Sequence, residues 1–134
     1  MARILETALY AENLAETAAF YAEVLGLERF AEAPGRHVFF RLEGSVLLLF
    51  RPEATAVPPP PGALAVPPHG ATGPGHACFA ASEAELAAWE RRLVAAGVAV
   101  ESRVDWPQGG RSLYFRDPAG NSLEFAEPRI WGLG

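Results

Sequence analysis

The same order of strand-forming and helix-forming segments occurs twice along this chain. In residues 3–51 the order is a strand from Arg3 to Ala11, a helix over 13–25, and strands over 27–31, 37–42 and 45–51. In residues 75–127 it is a strand over 75–80, a helix over 82–96, and strands over 98–103, 111–116 and 121–127. Such an internal repeat is typical of two copies of one supersecondary unit. We therefore predict an α+β fold, with two βαβββ modules forming a cupped mixed β-sheet and the helices on its outer face.

Both helices carry clear sequence signals. In the first, apolar residues recur three and four positions apart, at Leu14, Ala18, Tyr21 and Leu25, which is the spacing of one helix face. In the second, Ser82 and Glu85 have the spacing of a capping box, and Gly97 stands where the helix should end. Each module thus has one helix to cover one face of its sheet.

The segment 52–74 separates the two modules and holds most of the chain's 12 prolines. Proline lacks the backbone donor that a sheet or helix interior needs, so we predict an extended connector within one domain of residues 1–134. The sheet faces left without a helix would line a cup, either within one chain or between the chains of a homodimer. A cup of this kind is a natural site for a small-molecule substrate or ligand.

The charge and composition exclude several classes of function. A net charge of -5 disfavours nucleic acid, because phosphate binding depends on clustered cations. No apolar run approaches the roughly 20 residues of a membrane span, and Glu6 interrupts the segment that a signal peptide would need to be apolar. We expect a cytoplasmic protein with no membrane partner. The single cysteine, Cys78, excludes an internal disulfide, and the absence of lysine excludes Schiff-base chemistry.

Three ionisable side chains occur inside otherwise apolar strands, namely Glu6 in ILETALY, His76 in GHACFA and Glu124 in NSLEFAE. Burying an isolated charge is costly, so such groups usually have a partner, a metal or access to water. Glu6 and His76 stand at the same place, near the start of the first strand of each module. The alternatives for Glu6 are a solvent-facing strand residue or an ion pair with an arginine such as Arg41 or Arg51, and the alternative for His76 is a hydrogen-bonded core histidine.

Further candidates follow from strand alternation. Ser112, Tyr114 and Arg116 should share one face of their strand, opposite Leu113 and Phe115. If the apolar pair meets the helices, the three polar residues face the cup and are candidates for contact with substrate. Two more candidates for substrate contact are Arg51 and Trp106, with a solvated surface position as the alternative for each.

Three segments carry a resemblance to a known family: LAETAAFYAEVLGLERF at 14–30, GHACF at 75–79 and RSLYFRDPAGNSLEF at 111–125. Together they resemble the vicinal oxygen chelate superfamily, which includes glyoxalase I, fosfomycin-resistance thiol transferases, extradiol dioxygenases and bleomycin-binding proteins. The most specific part is the turn at 117–121 with the Leu123-Glu124 pair that follows. The likeness covers nearly the whole chain.

The resemblance implies a divalent metal ion, Fe, Mn, Zn or Ni, held by side chains from the first and last strands of each module. By position the first ligand would be Glu6, where His or Gln is more familiar, the third His76 and the fourth Glu124. The second falls in residues 46–49, VLLL, which contain no ligand. The thiol transferases and dioxygenases of the family use only the first, third and fourth positions.

Three functions remain open from the sequence, and no catalytic residue is assigned. The first is a divalent-metal-dependent enzyme, a lyase, isomerase, thiol transferase or dioxygenase acting on a small oxygenated molecule, which His76 and Glu124 favour. The second is a metal-free small-molecule binding protein of the bleomycin-resistance kind, which the negative net charge favours. The third is an accessory domain whose cup has lost its function.

Overall fold

The computed structural model describes all residues, 1–134, and the chain divides into two compact units, 1–73 and 74–134. The first unit contains strands β1 Glu6–Tyr10, β2 Glu28–Ala33, β3 His37–Leu42 and β4 Ser45–Phe50, with helices α1 Leu14–Glu23 and α2 Pro52–Thr55. Its four strands form one sheet in the order β1-β4-β3-β2. The pair β1 and β4 is parallel, and the other pairs are antiparallel.

The second unit repeats this topology. Its elements are strands β5 His76–Ala80, β6 Ser102–Asp105, β7 Arg111–Arg116 and β8 Ser122–Ala126, helix α3 Glu83–Ala95, and a 3-10 helix, Pro128–Trp131. The sheet order is β5-β8-β7-β6, again with one parallel pair, β5 and β8. The predicted α+β fold of two βαβββ modules is confirmed.

Each unit buries one face of its sheet against its long helix. In the first unit the buried strand residues alternate along β3 and β4, at Val38, Phe40, Leu47 and Leu49. Tyr21 of α1 packs on Phe40 with ring centroids 5.8 Å apart. In the second unit Trp89 of α3 stacks on Phe125 at 4.4 Å. Alternation therefore leaves the other face of each sheet without a helix.

The limits of some elements differ from those predicted. The first strand begins at Glu6 rather than Arg3, and β6 covers 102–105 rather than 98–103. The hairpin explains the shift of β6: Asp105 pairs with Arg111, and the backbone N–H of Trp106 donates to the carbonyl of Gly110 at 3.0 Å. The turn sets the register, so the strand continues up to it.

The connector also departs from the predicted extended segment, because its first residues form the short helix α2. Pro52 occupies the first turn, where the missing N–H of proline costs no hydrogen bond and its fixed φ suits a helix. None of the chain's helices combines the length and apolar composition needed to cross a lipid bilayer.

The capping box of α3 gives a prediction on stability. The Ser82 hydroxyl accepts from the Glu85 backbone N–H at 3.2 Å, and the Glu85 carboxylate accepts from the Ser82 N–H at 3.0 Å. We expect Ser82→Ala to lower the free energy of unfolding by about 1 kcal/mol, measured by urea denaturation. Ser82→Thr, which keeps the hydroxyl, should retain most of that stability. Equal losses in both variants would contradict a role for the hydroxyl.

Candidate functional site

The open face of the second sheet carries a cluster of polar side chains. Glu124 lies at the centre of β8, and its register partners are Cys78 on β5 and Tyr114 on β7. The same alternation assigns further residues to this face, namely His76, Ser112, Arg116 and Ser122. Leu113 and Phe115 point to the opposite, buried face. The strand register thus brings the ionisable residues of three strands together.

Glu124 is a carboxylate in an apolar strand, and only 6% of the residue is exposed. Tyr114 and Cys78 are its register neighbours on the two adjacent strands. Its Oε1 lies 3.3 Å from Nε2 of His76. These contacts offset part of the cost of removing the charge from water.

His76 is held by its other ring nitrogen. Nδ1 lies 2.8 Å from the backbone carbonyl oxygen of Ser122, and because a carbonyl only accepts, Nδ1 carries a proton. In the neutral ring Nε2 is then a bare acceptor that faces the Glu124 carboxylate. Two acceptors 3.3 Å apart need a proton or a cation between them. Half of the His76 side chain, 51%, is exposed, so the pair is open to solutes.

Tyr114 and Cys78 remain protonated beside Glu124. Burial, and then the charge of Glu124, raise the pKa of Cys78 to about 12. The same causes in the same order raise the pKa of Tyr114. Residue 78 is exposed in a single chain, and its sulfur lies 3.8 Å from the backbone carbonyl oxygen of Phe79. Both groups therefore act as neutral donors at physiological pH.

The other predicted substrate contacts have definite partners. Ser112 is fully buried, and its Oγ accepts from Nε1 of Trp106 at 2.9 Å. Arg116 forms two hydrogen bonds to the Glu101 carboxylate, both at 3.1 Å, and a third to the Gly120 carbonyl oxygen at 3.0 Å. These bonds anchor Arg116 at the end of the sheet. Contact of either residue with substrate stays a prediction.

The first unit has no counterpart of this cluster. Glu6 pairs with Val46 as His76 pairs with Ser122, so the two are equivalent by register. Two residues further along each strand, the first unit has apolar residues at the positions that the polar cluster occupies in the second unit. Ala8, Leu48 and Phe39 stand there in place of Cys78, Glu124 and Tyr114. The missing second ligand position is therefore Leu48.

Of the three predicted metal ligands, two lie next to each other in the structure. His76 and Glu124 are adjacent, whereas Glu6 belongs to the other unit, where it is exposed as the first residue of β1. Within one chain no three or more His, Cys, Asp or Glu side chains form a group that could hold a metal ion. The ligand role of Glu6 stays a prediction.

Arg51 follows β4 in the first unit, on the side of the sheet that α1 covers. Its Nε lies 3.2 Å from the Glu53 carboxylate, and it borders a cleft floored by Leu14 and Val38. A second cleft lies on the helix side of the second unit, beside Leu86 and Leu113. The ion pairs at these clefts are formed by arginine, such as Arg103 with Glu90 at 2.6 Å, and a guanidinium does not bind a metal ion. His76 and Glu124 instead place two potential ligand atoms side by side, so the open face of the second sheet is the candidate site. Substrate contact by Arg51 stays a prediction.

Comparison with known proteins gives consistent similarities. A family model described as the Glyoxalase/Bleomycin resistance protein/Dioxygenase superfamily matches residues 3–125. A solved lactoylglutathione lyase from Agrobacterium tumefaciens is 43% identical, with a TM-score of 0.93 over 99% of this chain and 98% of that one. A glyoxalase/bleomycin resistance protein/dioxygenase from Nocardioides is 23% identical, with a TM-score of 0.72 over 95% and 83%, and shows likeness of fold alone. Among curated proteins none matches.

The raised pKa of Cys78 gives a prediction on thiol reactivity. A thiol with a pKa of about 12 holds so little thiolate at pH 8 that we expect iodoacetamide to modify it on the order of a hundredfold more slowly than an ordinary cysteine. Glu124→Gln removes the neighbouring charge and should accelerate the reaction, but only partly, because burial remains. The matched control is Glu127→Gln, another buried carboxylate of this unit. Rapid alkylation of the unchanged protein would contradict the prediction.

Proposed function

Because the chain belongs to the glyoxalase/bleomycin resistance protein/dioxygenase superfamily, we propose that it is a divalent-metal-dependent enzyme acting on a small oxygenated molecule. The observation that carries the proposal is the pair of acceptors, His76 Nε2 and Glu124 Oε1, 3.3 Å apart on an open sheet face. The similarity to a lactoylglutathione lyase favours lyase chemistry over ring cleavage or thiol transfer.

The donor set fits the proposed metal. One imidazole and one carboxylate suit Fe, Mn, Zn or Ni, and two ligands bound at about 2.1 Å to one ion commonly lie near 3 Å from each other. The bond from Nδ1 of His76 to the Ser122 carbonyl fixes the tautomer that leaves Nε2 free. When bound, the metal would polarise an oxygen of the substrate.

The protein's own groups would hold and orient the reactants. We propose that Glu124 and His76 are ligands and that Tyr114, only part-buried beside Glu124, contacts the substrate. Tyr114 keeps its proton at neutral pH, since burial and Glu124 raise its pKa. It can therefore donate a hydrogen bond but cannot serve as a base. Ser112 and Arg116 would hold the ends of the same strand.

The third ligand in this proposal is Glu6 from a second copy of the chain. The first and second units each leave one sheet face without a helix, and no three suitable side chains converge within one chain. A symmetric homodimer would supply one Glu6 to each of two sites. The proposal thus joins the ligand role of Glu6 to the predicted dimer.

The alternative is a metal-free small-molecule binding protein. The open face of the first sheet favours it, because aromatic rings cluster there: Tyr10, His37, Phe39, Phe50 and the connector residue His69. Such a surface could stack on a planar or cationic ligand. The net charge of -5 also suits a cation. Metal content decides between the two functions.

The metal prediction is tested on the purified protein after loading with Mn(II), Zn(II) or Ni(II) and removal of excess ion. We expect retention of one ion per chain, measured by elemental analysis. His76→Ala and Glu124→Gln should each abolish it, because each removes one of the donors. Glu43→Gln, in the exposed turn between β3 and β4, is the matched control and should retain the ion. Retention of metal by both site variants would overturn the assignment.

The source of the third ligand is tested by complementation. A heterodimer of one Glu6→Ala chain and one Glu124→Gln chain has one intact site if Glu6 acts across the dimer. We then expect one ion per heterodimer, whereas each variant homodimer retains none. Absence of metal from the heterodimer, or a monomeric mass in sedimentation at micromolar concentration, would refute the proposed dimeric site.

A further inference from the structure

We infer that the open face of the first sheet binds an uncharged aromatic part of the substrate, and that the imidazole of His37 donates a hydrogen bond to an oxygen on it. The observation that carries the inference is that Nδ1 of His37 is buried and makes no hydrogen bond. Such an unsatisfied polar atom is rare in folded proteins. The inference deepens the proposed function by naming a substrate class, and its link to the metal rests on Glu6 being a ligand.

Aromatic neighbours hold the ring of His37 in place. It stacks on Phe39 with centroids 4.1 Å apart and planes at 11°, and it meets Phe50 edge-on at 6.0 Å. On the other side of the cluster, His69 of the connector packs edge-on against Phe50 at 4.8 Å. Nδ1 of His69 lies 2.7 Å from the Tyr10 hydroxyl oxygen. The tops of these rings remain partly exposed, so they form an accessible aromatic surface.

The environment of His37 decides which ring nitrogen has the proton. Burial, and then the charge of Arg36, lower the pKa of His37, so the ring is neutral at pH 7 and has one N–H group. On Nδ1 that proton would be a buried donor without an acceptor. Buried N–H groups of this kind are rarer than acceptors without a donor, so the proton belongs on Nε2. His37 therefore offers an N–H donor, whereas Nε2 of His76 is a bare acceptor.

The charges on this face favour a ligand group without charge. Arg41 is the one cation among the strand residues of the face, and it is already engaged. Its Nε lies 3.4 Å from the Glu28 carboxylate, and its guanidinium lies 4.3 Å from the centroid of the Phe30 ring. Glu6 and Tyr10 share the same face of β1. A carboxylate on the ligand would thus meet another carboxylate and no free cation, whereas a ketone or aldehyde oxygen suits the His37 donor.

Glu6 also sets the distance between the rings and the proposed metal. Glu6 and Tyr10 are four residues apart on β1, which is about 13 Å along an extended strand. His37 and Tyr10 are both register partners of Phe50, so the imidazole lies at the level of Tyr10. A substrate that joins a metal at Glu6 to the His37 donor therefore spans on the order of 10 Å. Two fused rings with an oxygen-bearing group at each end have that length.

The first test determines the tautomer of His37 in the metal-free protein. The chain has three histidines, and long-range ¹H–¹⁵N NMR spectra distinguish protonation at Nδ1 from protonation at Nε2. The signals of His37 are identified by their loss in His37→Phe. We expect a neutral ring protonated at Nε2. A proton on Nδ1 of His37 would overturn the inference.

The second test compares two probes of one shape, 2-acetylnaphthalene and 2-ethylnaphthalene, which lacks the oxygen. In NMR titrations of the metal-free protein we expect the acetyl compound to bind about tenfold more tightly, as one net hydrogen bond allows. His37→Phe keeps a stacking ring and removes the donor, so it should bind both equally. His69→Phe, the same replacement at the other histidine of the cluster, should keep the preference. A preference that survives in His37→Phe would refute the role of His37.

The charge argument is tested with 2-naphthoate, which has a carboxylate in place of the acetyl group. We expect it to bind more weakly than 2-acetylnaphthalene, because Glu6 lies on the same face and Arg41 is engaged. Tighter binding of the anion would show that the face selects a charged group. Should His37→Phe fail to fold, the order of the three probes in the unchanged protein still decides between an uncharged acceptor and an anion.

Metal loading separates this inference from the proposed function. If the protein retains Mn(II), we expect the proton signals of bound 2-acetylnaphthalene to broaden, and not to broaden with Zn(II), because the paramagnetic ion lies on the same face. A preserved probe preference without broadening would overturn the link to the metal. If the protein retains no metal, the proposed function is wrong, while the preference for the acetyl probe still decides the role of His37.

Discussion

Glu124 holds a negative charge in the middle of strand β8, between the buried residues Leu123 and Phe125. Removing a carboxylate from water costs several kcal/mol unless hydrogen bonds and a counter-charge replace the lost solvent. The neighbouring strands supply part of that replacement, since His76 Nε2 lies 3.3 Å from the carboxylate and Tyr114 and Cys78 lie beside it by register. The polar residues on the open face of the second sheet are therefore grouped around the Glu124 carboxylate.

The two units show how one topology serves two chemical environments. Both sheets have the same strand order and the same parallel pair, so a residue in one has a defined equivalent in the other. At the central position the first unit has Leu48 and the second Glu124. Aromatic rings fill the first open face, whereas hydroxyl, thiol and imidazole groups fill the second. Backbone pairing is thus independent of the polarity of the face that has no helix.

Much of this arrangement is predictable from the sequence, because alternation and helical spacing are local. The period of two in RSLYFR is enough to separate Ser112 and Tyr114 from Leu113 and Phe115. The contact of Trp106 with Ser112 is not predictable, since it depends on a turn that moves β6 by several residues from its predicted limits. The pairing of His76 with Glu124 depends on the register of parallel strands, which a single sequence does not specify.

Gly110 lies at the end of the Trp106 loop with φ at +91°, and a Cβ there would come within 2.5 Å of Ile130 in the 3-10 helix. The side chain of Gln108 donates to the Ile130 carbonyl oxygen at 3.3 Å, and the Arg111 N–H donates to the Glu127 carboxylate at 2.7 Å. The last turn of the chain is thus packed directly against the loop that bears the indole. A side chain at position 110 would therefore push the 3-10 helix away from the loop, so these two segments can change in sequence only together.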